Sequence, residues 1–416
     1  MKQKITDIDN HVKKTSPANS GDTIRVNDYL RSNITPNDFI EGTQMARIKN
    51  ALAFLKKQGG GTLELGVDTV AVPNTNTWTI TESIILPSNT TLFLNNSKLK
   101  LANGVFDTII RNEGIIVDAE NPNGLALELR QNSNIKIIGT GVGNAFIEGP
   151  DVPYSAPHPI DGGAAIPWIG DFYGWRTVSI LFANCKNYEM GGFSISKTTC
   201  WAISQEHGCD NMYIHDIDFN TTVKNGDGID FRKGCSNGVV RNITGAASDD
   251  IIACVAMMGS NKMPFPRGNY VYPMQVGGYE DSILGNNVDN IMISNISASS
   301  IHHVLICYAA GGGRTQNIKA YNIEDTYDLN TRNIVCVYSG HYAKTAIMGE
   351  INNIYMNRII SNNSNLALNI NTPLLNSHFN HIEQKKEGGI VCEITPPHDT
   401  QMINVQITNC LPGLRK

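Results

Sequence analysis

One short phrase recurs along the chain: an Asn followed by apolar residues at the first and third positions after it. It reads NIKI at Asn134, NYEM at Asn187, NMYI at Asn211, NGVV at Asn237, NIMI at Asn290, NIKA at Asn317, NIYM at Asn353 and NVQI at Asn404. The intervals are 53, 24, 26, 53, 27, 36 and 51 residues, most of them one or two multiples of about 24–27. A period of that size is a solenoid period, and no ordinary globular core explains it. Within each unit apolar and polar residues alternate, as they must on a strand with one face toward a core and the other toward water. A coil of this length holds about three short strands and their turns, and coils stacked at roughly 4.8 Å bury a continuous apolar column.

The expected fold is therefore all-β: a single-stranded right-handed parallel β-helix. The repeated Asn belongs at equivalent turns, where its amide bonds the coils above and below and its backbone tolerates a left-handed conformation. Cys185, Cys209 and Cys235 each stand two residues before such an Asn and should form an internal stack. The nine cysteines include no CxxC pair, which points to reduced, structural thiols rather than a zinc site or a disulfide framework. The 38 glycines suit a chain of short strands and tight turns.

An open solenoid end exposes its core and needs a cover. Residues 43–57, TQMARIKNALAFLKK, place Met45, Ile48, Leu52 and Leu55 on one helical face and run into Gly59-Gly60-Gly61, so they are read as an N-terminal capping helix. Residues 1–20 read as a polar arm, and residues 21–416 as one β-helix domain. Stretches near 148–174 and 256–286 break the period and are rich in Gly, Pro and aromatics, as loops walling a groove would be.

Lys+Arg 33 against Asp+Glu 38 gives a net charge of −5, which excludes a basic field for nucleic acid. No apolar run approaches a membrane span, and the start, MKQKITDIDNHVKK, lacks a secretory signal. Release at lysis, incorporation in a virion or an added initiator Met would each account for that start, and the cellular location stays open.

The densest carboxylate constellation is Asn225-Gly226-Asp227-Gly228-Ile229-Asp230 followed by Ser248-Asp249-Asp250. Asp227 and Asp249 are 22 residues apart, close to one coil, so neighbouring coils should bring three carboxylates together. Glycoside hydrolysis needs one carboxylic acid for the leaving oxygen and one carboxylate to activate water, roughly 6.5–9.5 Å apart in inverting enzymes. Mutual repulsion in such a cluster also keeps one acid protonated near neutral pH. Asp and Gly are equally the ordinary residues of β-helix turns. Asp249 and Asp250 would face opposite sides of a regular strand, so serving one cleft requires a bend between them.

From Trp175-Arg176 to Cys254 the sequence resembles the central coils of glycoside hydrolase family 28, the polygalacturonases and their relatives. The resemblance rests on Arg176 before an apolar strand, a Cys-x-Asn turn, Cys200-Trp201, the Asn-x-Asp-Gly-x-Asp signature and the paired Asp, over about 80 residues. The helix followed by Gly-Gly-Gly-Thr is similar to the start of many pectin-lyase-like β-helices, phage tailspikes among them. The resemblance implies that Asp249 is the general acid, that Asp227 and Asp250 hold and deprotonate the attacking water with inversion, and that Asn225 binds a sugar hydroxyl. It implies no metal and no cofactor, and gives Asp230 the role of bracing the turn.

Two family elements are missing. The Gly-His-Gly expected one coil after the paired Asp falls at Val276-Gly277-Gly278-Tyr279-Glu280-Asp281, and the Arg-Ile-Lys one coil later falls at His302-His303-Val304-Leu305-Ile306. Without that Arg and Lys the sugar is not specified as galacturonate, unless Arg267 or Arg314 substitutes from a loop. Tyr279, His302, His303 and His207 join Asn225 as expected substrate-binding residues. His302 and His303, alternating on a strand, should send one ring to the groove and one to the core or a neighbouring coil. Glu206 and His207 could line the groove floor, and Trp168, Phe172, Tyr173, Trp175 and Trp201 could stack on sugars.

The expected function is thus a metal-independent glycosidase acting on a polysaccharide or oligosaccharide in a long open groove, with neither nucleic acid nor membrane as partner. The alternatives are a polysaccharide lyase or epimerase, served by Lys224, Arg232 or Lys233 and often by calcium, and a tailspike-type depolymerase or adhesin, which would be a homotrimer.

Overall fold

The computed structural model describes residues 33–105, 107–117, 126–152, 178–223, 225–258, 285–326, 329, 331–340, 343–395 and 401–412. The polar arm, Tyr279, Arg267, Lys224, Trp168, Phe172, Tyr173 and Trp175 lie outside them, as do most of both period-breaking stretches.

The chain winds as a right-handed parallel β-helix. A single coil shows why. Strand Asp210–Thr221 is interrupted at Asn211 and Asp216, whose φ values of 55° and 51° turn the chain without a loop. Between and beyond these bends Met212, Ile214, Ile217 and Phe219 point inward and are buried. The next coil lies in register on it, Met212 against Gly238, Ile214 against Val240 and Ile217 against Ile243. Each fully buried Ile or Leu contributes about 1.5–3 kcal/mol, and the column runs unbroken from Ile34 to Val391.

The Asn phrase forms the expected ladder. Asn211 Nδ2 donates to Asn187 Oδ1 at 2.7 Å and Asn290 to Asn237 at 2.7 Å, all four with φ of 55–59°. The Cys185–Cys209–Cys235 stack is also present, fully buried, with Lys186 paired to Asp210 and Asp210 to Ser236 one residue further on. A second ladder five residues downstream, Asp216–Asn242–Asn295–Asn322, has links of 2.9, 3.1 and 2.9 Å.

The coil count differs from the interval arithmetic. Ser236 pairs directly with Asp289 and Asn132 with Cys185, so each 53-residue interval is one coil carrying a long insertion, not two coils. The 51-residue interval is two coils, marked by Asn376 (φ 47°), whose following Ser377 hid it from the pattern.

Helix α1, Gln44–Lys57, covers the first coil with Met45, Ile48, Ala51, Leu52 and Leu55 buried, and the Thr43 hydroxyl accepts from Ala46 N at its start. Arg47 is buried as well: its guanidinium grips Asp68 at 2.9 and 2.6 Å and lies over the Trp78 ring.

The ten-stranded sheet positions the site. Its neighbouring strands include Ile180–Ala183, Ile203–Glu206, Ile229–Phe231, Ile252–Met257, His303–Ala310, Asn333–Ser339 and Leu366–Asn371. Ile203, Ile229, Ile252 and Leu305 point into the core, while Ser204, Asp230, Ala253 and Ile306 form a row on the outer face. An antiparallel hairpin, Ile115–Val117 with Ala126–Leu129, lies on that outer face, where Ile115 and Leu129 pack against Leu181 and Trp201.

Candidate active site

Asp227, Asp249 and Asp250 come together as the spacing predicts: one carboxylate oxygen from each lies within 4.8 Å of the others. They sit just before the strands begin. Register pairs Ile229 with Ile252, and Gly228 N donates to Asp250 O at 2.8 Å, so Asp227 stacks on Asp250 and Gly226 on Asp249. Gly228 permits this approach, since a Cβ there would stand 2.6 Å from the Ile251 carbonyl oxygen. Residues 248–251 form a bend ahead of strand Ile252–Met257, which supplies the break that lets both neighbouring acids face one side.

The oxygens are closer than the interval expected of an inverting pair. A gap of up to 4.8 Å is what one water spans with two hydrogen bonds of about 2.8 Å. The same cage is of a size to surround a calcium ion. Asp250 also has a partner of its own: His303 Nδ1 lies 2.6 Å from its Oδ1.

Both histidines face the acids, the half-exposed His302 toward Asp249 and the buried His303 toward Asp250 on the neighbouring coil, one of the two inward placements expected of it. His302 lies in a bend and the strand starts at His303, so alternation does not apply. Their rings meet edge to face at 5.9 Å. Burial works against a charge on His303, but the Asp250 carboxylate, its hydrogen bond and a further bond to Cys336 prevail and raise its pKa to about 10. A pKa raised that far favours the imidazolium form of His303, whose Nδ1 is engaged with Asp250. His302, 3.7 Å from Asp249, has its pKa lowered by burial and by the neighbouring His303 and Arg332, against the pull of Asp250.

Asp230 is not a turn brace. It stands on strand Ile229–Phe231, facing outward, 3% exposed, and its Oδ2 has no hydrogen-bond partner. Burial drives its pKa far up; Arg232 opposes this, while Asp250, Asp249 and Glu206 reinforce it. Burial beneath the cluster thus favours its protonated form.

The other expected contacts are distributed differently. Asn225 occupies the turn before Asp227 with φ 54° and is half-buried. His207 is 3% exposed and follows strand Ile203–Glu206 at the end away from the acids, so the structure does not bring it to them. Glu206 and Arg232 are buried 3.4 Å apart, and Arg232 covers the Trp201 ring at 4.5 Å, leaving Trp201 as packing rather than a sugar platform. Arg314 lies beyond the far end of strand His303–Ala310.

Sequence reasoning missed Arg332. Because the stretch near 256–286 is an insertion, the coil after the paired Asp carries His302 and His303, and the next coil carries Arg332, with His303 paired to Asn333. The exposed Arg332 therefore follows His302 in the column that begins with Asp249. Treating the 53-residue interval as one coil would have found it.

No family model and no curated protein matches the chain. Among solved structures, the exopolygalacturonase of Thermotoga maritima is similar over 90% of this chain and 91% of its own, at 14% identity and a TM-score of 0.50. The tailspike protein of E. coli bacteriophage HK620, solved with a pentasaccharide, is similar over 94% and 69% at 12% identity and a TM-score of 0.55. These likenesses place the chain among right-handed parallel β-helix proteins, a class defined by fold.

Proposed function

We propose that the protein is a glycoside hydrolase that cleaves a polysaccharide by carboxylate acid/base chemistry. The observation that carries this reading is the three-carboxylate cluster with one member, Asp250, held by a buried imidazolium. His303 Nδ1 sits 2.6 Å from Asp250 Oδ1 and orients that carboxylate toward the cluster. Asp227 stacks on it, so the two hold a water and Asp250 takes its proton as the water attacks the anomeric carbon. Asp249 is the more exposed acid, with its side chain 22% exposed beside a neutral His302, and it gives its proton to the departing glycosidic oxygen. Attack by a water held between Asp227 and Asp250 on the face opposite the departing oxygen inverts the anomeric centre, whereas the short spacing of the acids is also that of a retaining pair; proton NMR of the nascent anomer decides between the two outcomes.

Arg332 gives the site a cation within reach of a sugar bound at His302, so an acidic substituent on the substrate has a partner there. The deciding experiment is a panel of polysaccharides, including polygalacturonate, a neutral β-glucan and bacterial O-polysaccharides, assayed for new reducing ends. Asp249→Asn should lower turnover by about two to four orders of magnitude with the circular dichroism spectrum unchanged. Near-normal turnover in that variant refutes the assignment, and a 4,5-unsaturated product replaces hydrolysis with lyase chemistry.

A further inference from the structure

We infer that the site attacks a glycan from one end rather than along its length, an inference that rests on the hydrolase reading above. A long open trough requires the outer face of the ten-stranded sheet to stay accessible on both sides of the acids, and it does not. In the coil before Asp227 the positions in register with Gly226 and Asp227 are Cys200 and Trp201, 0% and 7% exposed. They belong to an apolar cluster closed over by Ile115 and Leu129 of the hairpin. That wall stands one coil, about 4.8 Å, from the nearest acid, so about one sugar ring fits between them.

Among the described residues the opposite direction is open along a narrow ledge. In the Asp249 column side-chain exposure rises from 22% at Asp249 to 46% at His302, and Arg332 and Asn365 beyond them are exposed. The ledge hugs the beginnings of the strands. Further across the sheet the outward-facing Ile306, Tyr308 and Cys336 are 7%, 3% and 3% exposed, within a second closed apolar cluster. A chain can therefore enter with its terminal residue against the wall and its body over His302, Arg332 and Asn365, but it cannot pass through. Substrates are chain ends, and the product has a fixed short length.

The test uses the full chain on the polysaccharides of the panel, with reducing ends and specific viscosity read from one sample and products sized at each time point. The expected result is a steady rise in reducing ends with viscosity nearly constant, and one small product from the first sample onward. An early collapse of viscosity with a ladder of products overturns one-ended attack while leaving hydrolysis intact. Absence of reducing ends from every polymer overturns the hydrolase reading and this inference with it.

A second arm removes the wall. Gly114 and Arg130 are already joined by a 2.8 Å backbone hydrogen bond, so residues 115–129 can be replaced by a short Gly-Ser turn. In a variant with wild-type circular dichroism, viscosity loss per reducing end should rise several-fold; an unchanged ratio overturns the role of the wall. If the variant does not fold, the viscosity record of the unaltered chain decides.

Discussion

Replacing His303 by Leu removes the counter-ion of a buried carboxylate, and its cost follows from the geometry. His303 is 8% exposed and its pKa is raised from 6.5 to about 10. At 1.36 kcal/mol per unit the shift corresponds to about 5 kcal/mol of differential stabilisation, and breaking a buried pair from one side costs about 3–5 kcal/mol. A raised pKa stabilises fully below the unfolded value of 6.5 and is lost as the pH climbs through about 10. Urea titrations of His303→Leu against wild type should thus differ by about 3–5 kcal/mol near pH 6.5. The difference should shrink by about 1.4 kcal/mol per pH unit above that. The double variant His303→Leu/Asp250→Asn should recover much of the loss, because no buried charge is left unpaired. A difference below about 1 kcal/mol, or one that stays flat from pH 6.5 to 10, refutes the buried imidazolium and with it the reason for assigning Asp250 as base.

Three further outcomes follow from other features. Gly228→Ala forces a Cβ to within 2.6 Å of the Ile251 carbonyl; it should destabilise by about 1–3 kcal/mol and depress turnover more than Asn225→Ala does, as seen in paired melting and rate measurements. Asn237→Ala loses two ladder bonds, to Asp210 and from Asn290, and forces Ala to φ 59°, for a cost of about 3 kcal/mol, whereas Asn237→Gly keeps the φ and costs about 1–2 kcal/mol less by chemical denaturation. Activity should survive EDTA, since Asp250 is neutralised by His303 rather than by a cation; loss on chelation with recovery on added calcium would shift the reading to a metal-assisted lyase.

The ladder was legible because a positive φ leaves Asn nearly alone among side chains that also bond the next coil, so the residue recurs wherever the turn does. The acid cluster was legible for a related reason: its members lie on adjacent coils separated by no insertion. Beyond Asp250 the chain inserts a long segment, and interval counting then placed two coils where there is one. Arg332 was lost to that single miscount, and His302 and His303 were assigned to the wrong coil. Asp230 was misread because burial, which pushes its pKa up, leaves no mark on the motif.

The sequence alone determined the coil, its inward face, its capping helix and the meeting of three acids, because all of these repeat with the backbone period. Only the tertiary structure decided which groups face those acids and which neighbouring part of the sheet is covered. Those properties depend on insertions that fold back over the sheet, the hairpin above Trp201 foremost, and on the burial and neighbours that shift the pKa of His303 and Asp230 upward. Neither carries a period for the chain to display.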